Sequence, residues 1–244
     1  MKDSEKKTKK NEKNEEYVEA CGGIPTVELP NDITELVFIL DKSGSMSGME
    51  KDTVGGFNSM IERQKVESGR AFVTTVLFSS RMEIIHDRIP IEKVKPITEA
   101  QYRVGGSTAL YDAIGRTVEH IDTIHRYIRP KDVPARTIFV ITTDGEENAS
   151  REFTLAKIKE KIESHKRERE WTFMFLAANI DAFAAAEGLG IGRGNAASYS
   201  VERETGAMYC RVSNAVASFR TRGCIDEDWA GDLGEDSKTC PKKK

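Results

Sequence analysis

Leu36-Val37-Phe38-Ile39-Leu40-Asp41-Lys42-Ser43-Gly44-Ser45 decides the fold. Its first five residues form a continuous apolar run, which suits a central strand buried on both faces, as in parallel sheets. Asp41, Ser43 and Ser45 then set oxygen side chains at every second position. A carboxylate and two hydroxyls so placed form part of a nest for a hard cation. Mg²⁺ takes near-octahedral oxygen coordination and gives up its waters reluctantly, so a few oxygens on a rigid turn suit it better than an all-carboxylate cage. Alone, the string would serve equally well as a Ser-rich helix N-cap. Two later segments give it weight: Gly105-Gly106-Ser107-Thr108-Ala109-Leu110, and the strand-like Thr137-Ile138-Phe139-Val140-Ile141-Thr142-Thr143, which ends on Asp144-Gly145.

Together the three segments resemble the von Willebrand factor type A (VWA) family and its metal-ion-dependent adhesion site (MIDAS). That motif has D-x-S-x-S after the first strand, a threonine in a Gly-rich loop, and an aspartate followed by glycine at the end of a central strand. Asp41, Ser43, Ser45, Thr108 and Asp144 fill these positions in order. The resemblance runs from about Asn31 to about Arg220. It implies an α/β, Rossmann-like, doubly wound fold in which Ser43 and Ser45 ligate the metal directly. Thr108 would ligate it in the ligand-bound state, and the two aspartates would act directly or through water. One coordination position would stay open for a partner's carboxylate.

The rest of the chain is consistent with one such domain. The 244 residues carry a net charge of -3 and the pI is near 5.9, which argues against a nucleic-acid binder held by bulk electrostatics. Residues 1–30 begin with a run of balanced Lys, Glu, Asp and Asn and read as a flexible tail; 31–221 is the expected domain and 222–244 a second flexible tail. No secretory signal and no membrane span can be read, so the expected place is the cytoplasm, of a bacterial cell. Cys21, Cys210, Cys224 and Cys240 form no C-x-x-C pair and are expected as free thiols, with a Cys224–Cys240 disulfide as the alternative.

Strands are expected at Glu35–Leu40, Ala71–Phe78, Met82–Ile89, Thr137–Thr143, Thr172–Ala177 and Ala196–Tyr199. The link Ser79-Ser80-Arg81 is short enough to demand an antiparallel hairpin, hence one antiparallel edge strand on a mostly parallel sheet. Helices alternate with these strands and cover both faces: Met49–Val66, a stretch from Leu110 to Ile128 ended by Pro130, Thr154–Arg169, Ala182–Glu187, and one marked by Met208, Val212, Val216 and Phe219. Gly55-Gly56 inside the first helix suggests a close helix–sheet contact. In such a sheet Asp41, Thr108 and Asp144 lie on loops that meet at the carboxyl ends of the strands.

Mostly neutral hydroxyl ligands would leave a bound Mg²⁺ (or Mn²⁺) electrophilic enough to attract an Asp or Glu of a protein partner. A non-enzymatic, metal-dependent protein-binding domain is therefore expected. An accessory subunit of an ATPase, chelatase-like or stress-response complex is an alternative. A D-x-D-x-T phosphatase is disfavoured because Ser43 stands where its acid/base carboxylate would be. Glu146-Glu147-Asn148 beside the site reads as a solvated loop, with extra ligands or a rim that sets partner choice as the alternative, and His86, His120, His125 and His165 are too dispersed to suggest catalysis.

Overall fold

Thr34–Asp41 forms β1 and is buried along its whole length, as its apolar run requires. The structure, a computed structural model, describes residues 32–178, 180–199, 201–226 and 228–231, with the backbone alone at 201–204. The expected 1–30 tail lies outside the described residues. The other strands are β2 (Ala71–Phe78), β3 (Met82–Pro90), β4 (Arg136–Thr143), β5 (Thr172–Ala177) and β6 (Ala196–Ser198). They make one sheet in the order β3-β2-β1-β4-β5-β6. All pairs are parallel except β2–β3. The chain leaves β1 in one direction and returns as β4 on its other side, so the topological switch point falls between these two central strands.

Among the described residues five α-helices cover the sheet: α1 (Glu50–Lys65), α2 (Leu110–Tyr127), α3 (Leu155–Arg169), α4 (Ala182–Gly188) and α5 (Val201–Arg222). Side chains alternate across a strand, and the core divides accordingly. Leu36, Phe38 and Leu40 join Val140, Leu176 and residues of α1 and α5 on one face. Val37 and Ile39 join Phe139, Phe175 and residues of α2 and α3 on the other. Each fully buried Leu, Ile or Phe contributes roughly 1.5–3 kcal/mol, so the two layers hold β1 from both sides.

Four details depart from expectation. A β-carbon on Gly56 would lie 2.3 Å from the Tyr209 ring, whereas one on Gly55 would meet nothing within 4 Å. The small residue thus serves a helix–helix contact between α1 and α5, not a helix–sheet contact. Cys210 and Cys224 each take part in a disulfide, which corrects the free-thiol expectation at these two positions; Cys21 and Cys240 lie outside the described residues. Ordered structure continues past Thr221: Trp229 is buried in the core on the α1/α5 face and its Nε1 donates to Gly194 O at 2.7 Å. The first part of the expected C-terminal tail is therefore packed. Finally, β3 contains a bulge: Thr75 pairs with His86 and Val73 with Ile89, leaving Asp87 and Arg88 opposite Thr74. Arg88 there adopts φ 51 and its N–H donates to Thr74 Oγ1 at 3.2 Å. Bulges re-aim side chains, and this one sends the Arg88 guanidinium to Glu35 at the start of β1.

Candidate metal centre

The loop after β1 does not use its serines as a helix cap. Gly44–Met46 is a single 3₁₀ turn with Ser43 at its N-cap position, and no side chain caps it. Instead Ser43 Oγ lies 3.0 Å from Ser45 Oγ, and Ser45 Oγ donates to Asp144 Oδ1 at 2.6 Å. The Ser43 backbone N–H donates to Asp41 Oδ1 at 2.7 Å. A chain of side chains thus runs from the end of β1 to the end of β4.

The Gly-rich loop closes the third side. Gly44 N donates to Gly106 O at 3.0 Å and Gly105 N to Lys42 O at 2.9 Å, so two strands of loop are zipped together. Gly106 has φ +83, and a β-carbon there would come within 2.7 Å of Ser80 Oγ, which reserves the position for glycine. A β-carbon on Gly145 would sit 3.2 Å from Ser45 Oγ and 3.5 Å from Thr108 Oγ1. Both hydroxyls therefore flank the same point beside Asp144. The structure brings together all five residues singled out from the sequence.

Its electrostatics are lopsided. Asp41 and Asp144 are buried, at 1% and 2% exposure. No Lys, Arg or His pairs with either among the described residues. Lys42 turns away to Glu83, Nζ to Oε1 at 2.9 Å. Burial pushes the Asp41 carboxyl above its ordinary range, against hydrogen bonds from Thr143 and Ser43, and the Asp144 charge adds to the upward push. Burial likewise raises Asp144, opposed by Ser45. Asp144 Oδ2 is buried with no hydrogen-bond partner. A buried, unsatisfied carboxylate oxygen costs free energy unless something electropositive meets it. Two carboxylates, three hydroxyls and no nitrogen or sulfur make a donor set for a hard divalent cation. Among the described residues no group of three or more His, Cys, Asp or Glu is placed to hold a metal ion; three of the five oxygen side chains here are hydroxyls, outside such a group.

Sequence reasoning missed the residues that hold these five in place. Thr143 Oγ1 donates to Asp41 Oδ2 at 2.7 Å. Tyr102, fully buried, donates its hydroxyl to Asp41 O. Asn148 clamps Thr108 at two points: its Oδ1 accepts from Thr108 N at 2.9 Å and its N–H donates to Thr108 O at 3.0 Å. Glu147 is no solvated loop residue. Its Oε1 accepts from Ala149 N and Ser150 N at 2.8 and 2.7 Å, and its Oε2 from Tyr111 N at 2.9 Å, tying the loop to the start of α2. Thr143 had a faint signal in its position before Asp144 and Asn148 in the polar stretch Glu146-Glu147-Asn148 beside it; Tyr102 had none. The four histidines take partners elsewhere.

No protein-family model and no curated protein matches the sequence. Solved structures do. Proximal thread matrix protein 1 from the mussel byssus is similar over 78% of this chain and 47% of its own, at 13% identity and a TM-score of 0.53. The same protein with a zinc-occupied MIDAS motif gives 14% identity, 78% and 47% coverage, and a TM-score of 0.52. A von Willebrand factor type A structure from Catenulispora acidiphila is 12% identical, with 77% and 43% coverage and a TM-score of 0.52. The chain has the VWA fold. It spans less than half the length of each of these neighbours.

Proposed function

We propose that Asp41, Ser43, Ser45, Thr108 and Asp144 hold one divalent cation, Mg²⁺ or Mn²⁺, and that the protein uses it to bind a partner protein through an Asp or Glu carboxylate. The carrying observation is the pair of buried aspartates with no cationic partner, one bearing an unsatisfied oxygen. The zinc-occupied MIDAS of a neighbour with the same fold supports a divalent ion at such a place. When bound, the ion supplies a Lewis-acidic positive charge. The chain's own residues supply the rest: Thr143 and Tyr102 orient Asp41, Asn148 orients Thr108, and Ser45 bridges Asp144 to Ser43.

A binding role fits better than catalysis. The position two residues after Asp41 is Ser43, not the second carboxylate a Mg²⁺-dependent phosphatase needs as its acid/base. An accessory role in an ATPase or chelatase-like complex would use the same site. Among the described residues no helix is long and apolar enough to cross a membrane. The disulfides at Cys210 and Cys224 favour an oxidising compartment over the cytoplasm.

Thr108 tests the reading. Thr108→Ala should weaken a captured partner roughly tenfold or more while lowering Mg²⁺ affinity only a few-fold, whereas Ser43→Ala should weaken both. EDTA should release the partner and Mg²⁺ restore it. A partner that stays bound in EDTA and is indifferent to both substitutions would reject the site as the docking point.

A further inference from the structure

Beside the metal centre a cleft of about 860 Å³ opens between the β2–β3 turn, the start of α2 and the loop after β4. It abuts the site directly: its wall includes Ser107 and Ala109, the neighbours of Thr108, and Asn148, which holds Thr108. Three arginines and two carboxylates line it. Arg116 is consumed by Glu152, with Nε to Oε2 at 2.7 Å. Asp112 is consumed by the backbone, its Oδ1 accepting from Glu152 N and Phe153 N and its Oδ2 from Arg151 N, each at 2.9 Å. The guanidiniums of Arg81 and Arg151 remain. Both residues are exposed, and neither side chain forms an ion pair or hydrogen bond among the described residues.

Two unpaired guanidiniums in one polar cleft, next to a site that takes a carboxylate, specify a ligand with more than one negative charge. We infer that the partner segment is acidic at two places: one carboxylate goes to the metal, and a second Asp or Glu, a few residues along the same chain, pairs with Arg81 and Arg151 in the cleft. The inference rests on the metal-dependent reading above and adds to it the charge pattern of the partner. Arginine suits this task because its planar fork matches a carboxylate with two parallel N–H bonds. The pairs lie at a solvated rim, so they discriminate among partners and speed encounter more than they add affinity.

Two blocked glycine-rich peptides test it, one with a single aspartate and one with an aspartate and a glutamate a few residues away, each titrated in Mg²⁺ at low ionic strength. The two-acid peptide should bind wild type roughly fivefold more tightly, the gain expected of exposed ion pairs. That gain should vanish in an Arg81→Gln/Arg151→Gln variant, while the single-acid peptide binds both proteins alike. Equal binding of the two peptides to wild type, a gain that survives in the variant, or no binding of either peptide overturns the inference. The metal reading fails separately: EDTA would then leave the single-acid peptide's binding unchanged, whatever the arginines do.

Discussion

The two ends of β1 each bury a carboxylate, and they treat it in opposite ways. Glu35 and Asp41 lie on the same face of one strand, about 20 Å apart. Glu35 is fully buried, and its Oε2 accepts from Arg88 Nε at 2.7 Å with His125 Nε2 at 3.4 Å. Asp41 and, across from it, Asp144 have only hydroxyls and N–H groups for company. Each end has an unpaired oxygen, Glu35 Oε1 below and Asp144 Oδ2 above. Charge compensation is what separates them. A buried carboxylate with its own arginine is part of the scaffold; two adjacent buried carboxylates without one are the feature on which the proposed cation site rests.

The largest effect should follow from removing the compensation at the lower end. Arg88→Met would strand the Glu35 charge and is expected to cost about 3 kcal/mol in urea unfolding, with Mg²⁺ affinity unchanged within twofold. Adding Glu35→Gln should recover most of that loss. If the single variant were as stable as wild type, the lower end would not be the compensated one.

Asp112 is an intermediate case, answered mainly by backbone dipoles, with the Arg116 charge as a smaller help. Burial works against its charge, but the N–H groups of Arg151, Phe153 and Glu152 outweigh this and hold its carboxyl below the ordinary range. A depressed folded-state pKa contributes stability above the unfolded value, and this is lost as pH falls through the folded one. Asp112→Asn should therefore cost about 1–2 kcal/mol at neutral pH, and the gap from wild type should close as pH drops below about 4. A gap that does not change with pH would mean that the residue acts through shape alone.

The smallest effect in this set should have the opposite sign. Without added metal, Asp144→Asn removes a desolvated charge that nothing balances, so the variant should be more stable than wild type by roughly 0.5–2 kcal/mol, as is common for binding-site residues. Saturating Mg²⁺ should reverse that order, because only wild type gains from binding. Equal melting curves in EDTA would show that the upper end carries no such cost.

This contrast between the two ends marks the limit of what the residues alone disclose. The apolar run of β1, the short Ser79-Ser80-Arg81 link and the D-x-S-x-S, Thr and Asp-Gly segments are local patterns, and from them the sheet, its antiparallel edge and all five residues of the candidate site could be placed. Glu35 reads only as the first residue of the expected strand Glu35–Leu40, because its partners Arg88 and His125 lie 53 and 90 residues away and one of them depends on a bulge. The clamping role of Asn148 and the presence of Tyr102 could not be read for the same reason: their targets, the backbone of Thr108 and of Asp41, lie 40 and 61 residues away. The composition around Trp229 reads as a tail, yet its buried ring, Ile225 and Ala230 against the same core, and the Ser218 and Arg222 bonds to Asp226 hold that stretch.

Calorimetric titration of Mg²⁺ into the metal-stripped protein, with Asp144→Asn run beside it, tests most directly the claim that the uncompensated end is a cation site. Wild type should bind one ion per chain, and the variant should bind at least a hundredfold more weakly or not measurably. Equal affinity and stoichiometry in the two proteins, or no binding by wild type, would contradict the account.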